Sequence, residues 1–169
     1  DIDKDGFNDL VVAHATGIAV YLLRTWEVYG PYRVLDTRDH LEFVQTVDVN
    51  RDGRVDFVAA GESEGLFWVD GNYNGGIRHD IDAALTMPYF AVASDLNDDG
   101  TLDVAAVSLG IDSQFNVYWQ DGGGGWTKQA LARGEGGRGV VVADLRHDGD
   151  RQVAITNRVG GRIEIWNVP

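Results

Sequence analysis

A nine-residue acidic pattern, D-x-[DN]-x-D-G-x-x-D, recurs along the chain and constrains its fold more than any other feature. Three intact copies and one degenerate copy begin at aspartates separated by 47, 47 and 49 residues. A fixed period of about 20–50 residues is typical of repeat architectures. We name the copies loop 1 (residues 1–9), loop 2 (48–56), loop 3 (95–103) and loop 4 (144–152), and we expect repeats of approximately 1–40, 41–86, 87–134 and 135–169.

Loops 1 to 3 carry the oxygen donors of a hard cation. Side-chain oxygens at positions 1, 3, 5 and 9 can converge, because the glycine at position 6 permits a sharp turn. Ca²⁺ takes about six to eight oxygen ligands, including backbone carbonyls. We expect position 7 to contribute its carbonyl, which leaves its side chain free to vary. The predicted ligands are Asp1, Asp3, Asp5, Phe7 and Asp9; Asp48, Asn50, Asp52, Arg54 and Asp56; and Asp95, Asn97, Asp99, Thr101 and Asp103.

The alternative is a set of Asp/Gly-rich turns without an ion, since these residues are common in turns. Three intact copies at one period argue against it, because two carboxylates 4 Å apart repel by roughly 1 kcal/mol even in water. No histidine or cysteine stands at a ligand position, which disfavours a soft metal. The sequence therefore predicts about three calcium ions.

Loop 4 departs from the pattern at two ligand positions. Arg146 replaces the oxygen donor at position 3, and Gln152 replaces the carboxylate at position 9. We expect the loop beginning at Asp144 to hold no metal, with Arg146 occupying the place of the ion.

An EF-hand is excluded by the residues that follow each loop. An EF-hand needs a bidentate glutamate at position 12 and flanking helices. Position 12 is Val12, Ala59 or Ala106, within short apolar runs of strand length.

Fourteen short segments have the composition and bounding turns of β-strands, and no long segment has convincing helical periodicity. Four strands in about 47 residues match a propeller blade. We predict an all-β propeller with four-stranded blades. The predicted strands are 10–15, 18–23, 29–35, 41–47, 57–60, 66–69, 77–81, 89–94, 104–108, 115–119, 126–132, 139–143, 153–156 and 162–168.

The strand count is three in the first and last repeats and four in each middle repeat, so two blades are incomplete. A closed propeller has about 4–8 blades. We expect residues 1–169 to form one segment of a larger propeller, for example a seven-bladed one, completed by the same parent or by a second copy. A complete four-bladed ring is the less natural alternative.

The net charge of −13 argues against binding of nucleic acid or anionic lipid, and the sequence predicts no membrane insertion. Ten of the 27 acidic residues are predicted ligands in loops 1 to 3, so much of the charge is a local requirement of the sites. Calcium sites of low affinity need the millimolar calcium found outside cells, which predicts a secreted or cell-surface protein.

Aromatic residues recur near the end of the third strand of each repeat, and we expect them to pack between blades; they are Tyr21, Trp68, Trp119 and Trp166. Trp26 breaks this register in a loop and is the better candidate for ligand contact. The four histidines share no spacing, and no serine stands in a nucleophile-elbow motif. The sequence thus contains no catalytic set.

The acidic loop between two apolar strands, followed by an aromatic strand and a Gly-rich hairpin, resembles the FG-GAP/VCBS repeat family over the whole chain. The resemblance implies an integrin-like β-propeller with calcium bound between the first two strands of a blade. It assigns the calcium roles to the side-chain ligands given above for loops 1 to 3.

Members of that family include adhesion modules, lectins and propellers of secreted carbohydrate enzymes. The leading hypothesis is a calcium-stabilised binding module that recognises carbohydrate or a protein surface. The alternatives are the propeller of a secreted lyase or dehydratase and a structural spacer. Fold alone does not choose among them.

Overall fold

All regular structure in the described residues is β-strand. The computed structural model describes residues 1–37, 40–110, 112–133 and 136–168, and these contain no helix. The strands are β1 (Leu10–His14), β2 (Gly17–Arg24), β3 (Glu27–Asp36), β4 (Leu41–Val47), β5 (Asp56–Gly61), β6 (Gly65–Val69), β7 (Arg78–Asp82), β8 (Pro88–Ser94), β9 (Asp103–Ser108), β10 (Gln114–Gln120), β11 (Trp126–Arg133), β12 (Gly137–Ala143), β13 (Gln152–Asn157) and β14 (Arg162–Asn167). All fourteen predicted strands are confirmed, with ends that agree within two residues.

The strands form four antiparallel sheets in chain order. Sheet 1 is β1-β2-β3, sheet 2 is β4-β5-β6-β7, sheet 3 is β8 to β11, and sheet 4 is β12-β13-β14. Each strand pairs with its neighbours in sequence, as in a blade of a propeller. The predicted propeller-type all-β fold, with two four-stranded and two three-stranded sheets, is confirmed.

The chain divides into two compact units, Asp1–Ala83 and Ala84–Pro169. The first contains sheets 1 and 2, and the second contains sheets 3 and 4. No helix in the described residues is long and apolar enough to cross a membrane.

In the first unit, one face of sheet 1 packs against one face of sheet 2. Alternate residues of a strand point to opposite faces. When positions in each repeat are counted from the first aspartate of its loop, positions 11 and 13 lie on one face of the sheet and positions 10 and 12 lie on the other. We call these the leading and trailing faces. The leading face of sheet 1 is formed by Val11, Ala13, Ile18 and Val20, and the trailing face of sheet 2 is formed by Phe57, Ala59, Phe67 and Val69.

The second unit repeats this arrangement. The leading face of sheet 3 packs against the trailing face of sheet 4. The first consists of Ala105, Val107, Phe115 and Val117, and the second of Val140, Val153 and Ile155 with Val142 and Trp166 at its margin. The same alternation therefore builds both cores.

Candidate metal centres in the four loops

All four loops share one backbone conformation. Position 4 lies in the left-handed region, where non-glycine residues are uncommon, and position 6 is a glycine of positive φ. The φ values are 62°, 60°, 57° and 58° at Lys4, Arg51, Asp98 and His147, and 93°, 81°, 86° and 95° at Gly6, Gly53, Gly100 and Gly149. Loop 4 therefore keeps the shape of the intact loops despite its altered side chains.

The carboxylate at position 1 holds this shape from inside the loop. It accepts a hydrogen bond from the backbone N–H of the glycine at position 6, as short aspartate side chains do in turns. The four distances are 3.0 Å for Asp1, 2.9 Å for Asp48, 2.9 Å for Asp95 and 3.0 Å for Asp144.

The carboxylate at position 5 makes a second turn within the loop. It accepts a hydrogen bond from the backbone N–H of position 7. The distances are 3.0 Å for Asp5, 2.8 Å for Asp52, 2.6 Å for Asp99 and 3.2 Å for Asp148.

The carboxylate at position 9 closes each intact loop onto its beginning. Asp9, Asp56 and Asp103 accept hydrogen bonds of 2.6, 2.8 and 3.1 Å from the backbone N–H of position 2. Asp9 and Asp103 also accept from the N–H groups of Leu23 on β2 and Gln120 on β10, respectively. These bonds join the loop to two strands.

Asp56 and Asp103 are fully buried. Desolvation raises the pKa of each carboxyl above its ordinary value, because burial disfavours the charged form. The hydrogen bonds from backbone N–H groups offset only part of that effect. Each of these loops therefore buries a carboxyl group whose charged form a nearby positive charge would stabilise.

Two carboxylate oxygens in the loops are buried and have no hydrogen-bond partner among the residues that the structure describes. They are Oδ1 of Asp56 in loop 2 and Oδ1 of Asp95 in loop 3. Buried polar atoms are nearly always paired, so each unpaired atom needs an explanation. The Oδ1 of Asp95 belongs to the position 1 carboxylate, and a hard cation would satisfy it, so the residues of loop 3 fit calcium. The Oδ1 of Asp56 corresponds instead to the oxygen by which Asp9 and Asp103 accept from the N–H groups of Leu23 and Gln120.

Loop 1 brings three carboxylates together. Oxygens of Asp1, Asp3 and Asp9 all lie within 4.8 Å of one another. Ligands at about 2.4 Å from a common Ca²⁺ lie at most about 4.8 Å apart. This is the one carboxylate cluster of metal-site dimensions in the described part of the chain.

Two arginines lie beside the predicted ligands. Arg24 contacts Asp3 at 2.9 Å and Asp5 at 3.4 Å in loop 1, and Arg54 contacts Asp52 at 2.7 Å in loop 2. The hydrogen bond from Arg54 lowers the pKa of Asp52. The pattern predicted only a backbone role for Arg54, and no local signal in the sequence indicates Arg24, which reaches loop 1 through strand pairing.

Loop 4 replaces a carboxylate with an amide. Gln152 is buried, and its Oε1 accepts hydrogen bonds of 2.7 and 3.2 Å from the backbone N–H groups of Leu145 and Arg146. The structure does not place the Arg146 guanidinium where an ion would lie. That side chain is exposed and forms no ion pair with the residues that the structure describes.

The aromatic residues divide into packed and exposed groups. Trp119 and Trp166 pack against the core of the second unit, and Trp68 is buried and stacks on His79 with ring centroids 4.1 Å apart. Trp26 is 99% exposed at the tip of the β2–β3 hairpin, where the preceding Thr25 has a φ of 58°. The packing expected for Trp119 and Trp166 is thus confirmed.

Four antiparallel sheets, each associated with one acidic loop of shared conformation, define a β-propeller repeat protein. The FG-GAP-like repeat model matches residues 1–59 and 95–155, and the chain belongs to that family. Such repeats are typical of binding or adhesion modules. No curated protein matches the sequence.

Proposed function

We propose that this chain is a calcium-stabilised extracellular binding module that recognises carbohydrate or a protein surface. The observation that carries the calcium assignment is the unpaired, buried Oδ1 of Asp95. This oxygen lies in a loop whose backbone is already held by internal hydrogen bonds.

Calcium would be held by the side-chain oxygens of loops 1 to 3, with the position 7 carbonyls of Phe7, Arg54 and Thr101 as further ligands. When bound, the ion supplies positive charge that the clustered carboxylates lack. The chain itself supplies the preformed turns, which reduce the entropy lost on binding. Loop 4 serves as a metal-free turn.

The ligand contact is assigned to Trp26. An indole that is 99% exposed offers a large apolar face for stacking against a sugar ring or an apolar side chain. The hairpin is anchored to loop 1 by the bond from Leu23 to Asp9 and by the ion pair between Arg24 and Asp3. Calcium in loop 1 would therefore stiffen the element that displays Trp26.

Titration calorimetry on chelator-stripped protein tests the calcium assignment. The expected result is about three sites that fill at up to millimolar calcium. No binding at millimolar calcium would refute the assignment.

A glycan array probed with wild type and Trp26→Ala tests the ligand assignment, with Val159→Ala as the control because it also removes an exposed apolar side chain. Retained binding by Trp26→Ala would exclude Trp26.

A further inference from the structure

The leading face of sheet 4 is apolar and open. Val141, Ile163 and Ile165 are 52%, 69% and 55% exposed. A groove of about 260 Å³ runs over this face, lined by Val141, Ile163, Ala154 and Thr156 among others, and none of its lining residues is charged. Contiguous exposed apolar surface of this kind marks an interaction site.

The leading faces of sheets 1 and 3 are equivalent to this face, and both of them are covered by another sheet. Ala154 and Thr156 stand at repeat positions 11 and 13, like Ala105 and Val107 of sheet 3. Ile163 pairs with Thr156 as Phe115 pairs with Val107. Phe115 is only 2% exposed, because sheet 4 packs over it.

The surface that covers a leading face is the trailing face of the following sheet in both units. Sheet 2 covers sheet 1 with Phe57 and Ala59, and sheet 4 covers sheet 3 with Val153 and Ile155. These are positions 10 and 12 of their repeats. The partner that fits the open leading face of sheet 4 is therefore the trailing face of another sheet, besides those of sheets 2 and 4.

Sheet 1 has an accessible trailing face. A groove of about 170 Å³ on it is lined by Val12, Ala19, Tyr21 and Pro31, with His14 and Arg33 as its polar members. Val12 stands at repeat position 12, as Ala59 and Ile155 do. The chain thus carries both halves of the contact that builds its own cores.

We propose that the leading face of sheet 4 binds the trailing face of sheet 1 in a second copy of this chain. The contact continues the sheet-on-sheet interface already formed inside each unit, with the same repeat positions on each side. It stands independently of calcium and of the proposed ligand. Because the two faces differ, the contact is heterologous, and its repetition links copies into rings or open chains.

Sedimentation velocity of the full chain over a range of concentrations tests the contact. Wild type is expected to associate, whereas Ile163→Asp and Tyr21→Asp are each expected to remain monomeric. Each substitution places a charge on one of the two apolar faces. Val159→Asp is the matched control, because Val159 is 74% exposed in the β13–β14 hairpin and does not line the groove.

Mixing the two variants gives the sharper test. Ile163→Asp keeps an intact trailing face, and Tyr21→Asp keeps an intact leading face, so an equimolar mixture is expected to form a heterodimer that stops at two copies. A symmetric contact would give no such rescue. The strand signal in circular dichroism establishes that both variants fold.

A disulfide provides an independent readout, since the chain has no cysteine. Ile163→Cys mixed with Tyr21→Cys is expected to give an oxidised heterodimer in higher yield than Val159→Cys mixed with Tyr21→Cys. A wild type that stays monomeric at every concentration would overturn the proposal. Association that neither aspartate variant weakens would overturn it as well.

Discussion

The side-chain oxygen of Gln152 accepts a 2.7 Å hydrogen bond from the backbone N–H of Leu145. In loop 2 the carboxylate of Asp56 accepts the same bond from Val49 at 2.8 Å. Position 9 therefore has a structural task that is separable from metal binding, and an amide performs it as well as a carboxylate.

Gln152→Ala should destabilise the fold by about 1–3 kcal/mol, because it removes the side-chain acceptor of the Arg146 N–H and the shorter of the two hydrogen bonds of the Leu145 N–H, which also donates to the carbonyl of Ala143 at 3.1 Å. Urea denaturation measures the change. Gln129→Ala is the control, because Gln129 is exposed and, within the described part of the chain, its side chain accepts a hydrogen bond only from the indole of Trp119. Equal losses in the two variants would refute the structural role.

Asp52→Ala and Asp148→Ala distinguish the contribution of calcium binding to stability from that of the turn hydrogen bond. Both residues accept from the backbone N–H of position 7, at 2.8 and 3.2 Å, so both substitutions remove the same turn bond. Saturation of one site at a hundredfold excess over Kd stabilises a fold by about 2.7 kcal/mol. We expect Asp52→Ala to lose one such calcium-dependent increment and Asp148→Ala to lose none. Thermal melts with calcium and with chelator provide the comparison, and identical calcium responses would contradict the assignment of loop 2.

The stability contributed by Asp121 should depend on pH. Hydrogen bonds from the backbone N–H groups of Gly123 and Gly125 lower the pKa of this carboxyl. A lowered folded-state pKa gives stability that is present above the unfolded-state value, about 3.9, and is lost as the pH falls through the folded-state value.

Asp121→Asn keeps an acceptor but removes the charge. Wild type should therefore exceed this variant in stability at pH 7, and the difference should disappear as the pH falls below the lowered pKa of Asp121. Denaturant titrations at pH 7, 5 and 3 test this expectation. Asp112→Asn is the control, since Asp112 is exposed and accepts no hydrogen bond from the described residues. A difference that is independent of pH would rule out the charge as its origin.

Gly65→Ala should cost more stability than Gly161→Ala. Both glycines lie in the hairpin after the second strand of the sheet, with φ of +74° and +61°, so the backbone cost of alanine is shared. A Cβ at Gly65 would lie 2.7 Å from the carbonyl oxygen of Asp82, whereas at Gly161 it meets nothing within 4 Å. We expect an additional loss of about 1–3 kcal/mol at Gly65. Equal denaturant midpoints for the two variants would show that the backbone near Asp82 moves away from the added Cβ with no loss of stability.

The strands could be predicted because short apolar runs and turn residues are local signals. The ladders themselves are also local, since each strand pairs with its neighbour in sequence. The repeat period defines the boundaries of the blades, and those boundaries predicted three strands in the first and last sheets.

The detail of the loops depends on contacts that are distant in sequence. Arg24 reaches Asp3 only because β1 pairs with β2. The unpaired oxygen of Asp95 depends on how deeply the loop is buried. The expectation for Arg146 considered charge alone, and it overlooked the hydrogen bond by which Gln152 already satisfies the loop.

The left-handed residue at position 4 of every loop, from Lys4 to His147, has a consequence for the history of such chains. Because the turn forms from hydrogen bonds that loop 4 largely retains, a repeat can lose its ion-binding side chains while the blade around it persists. Under the proposed calcium assignment, ion sites in an array of this kind can therefore be lost or regained one repeat at a time, by a few substitutions.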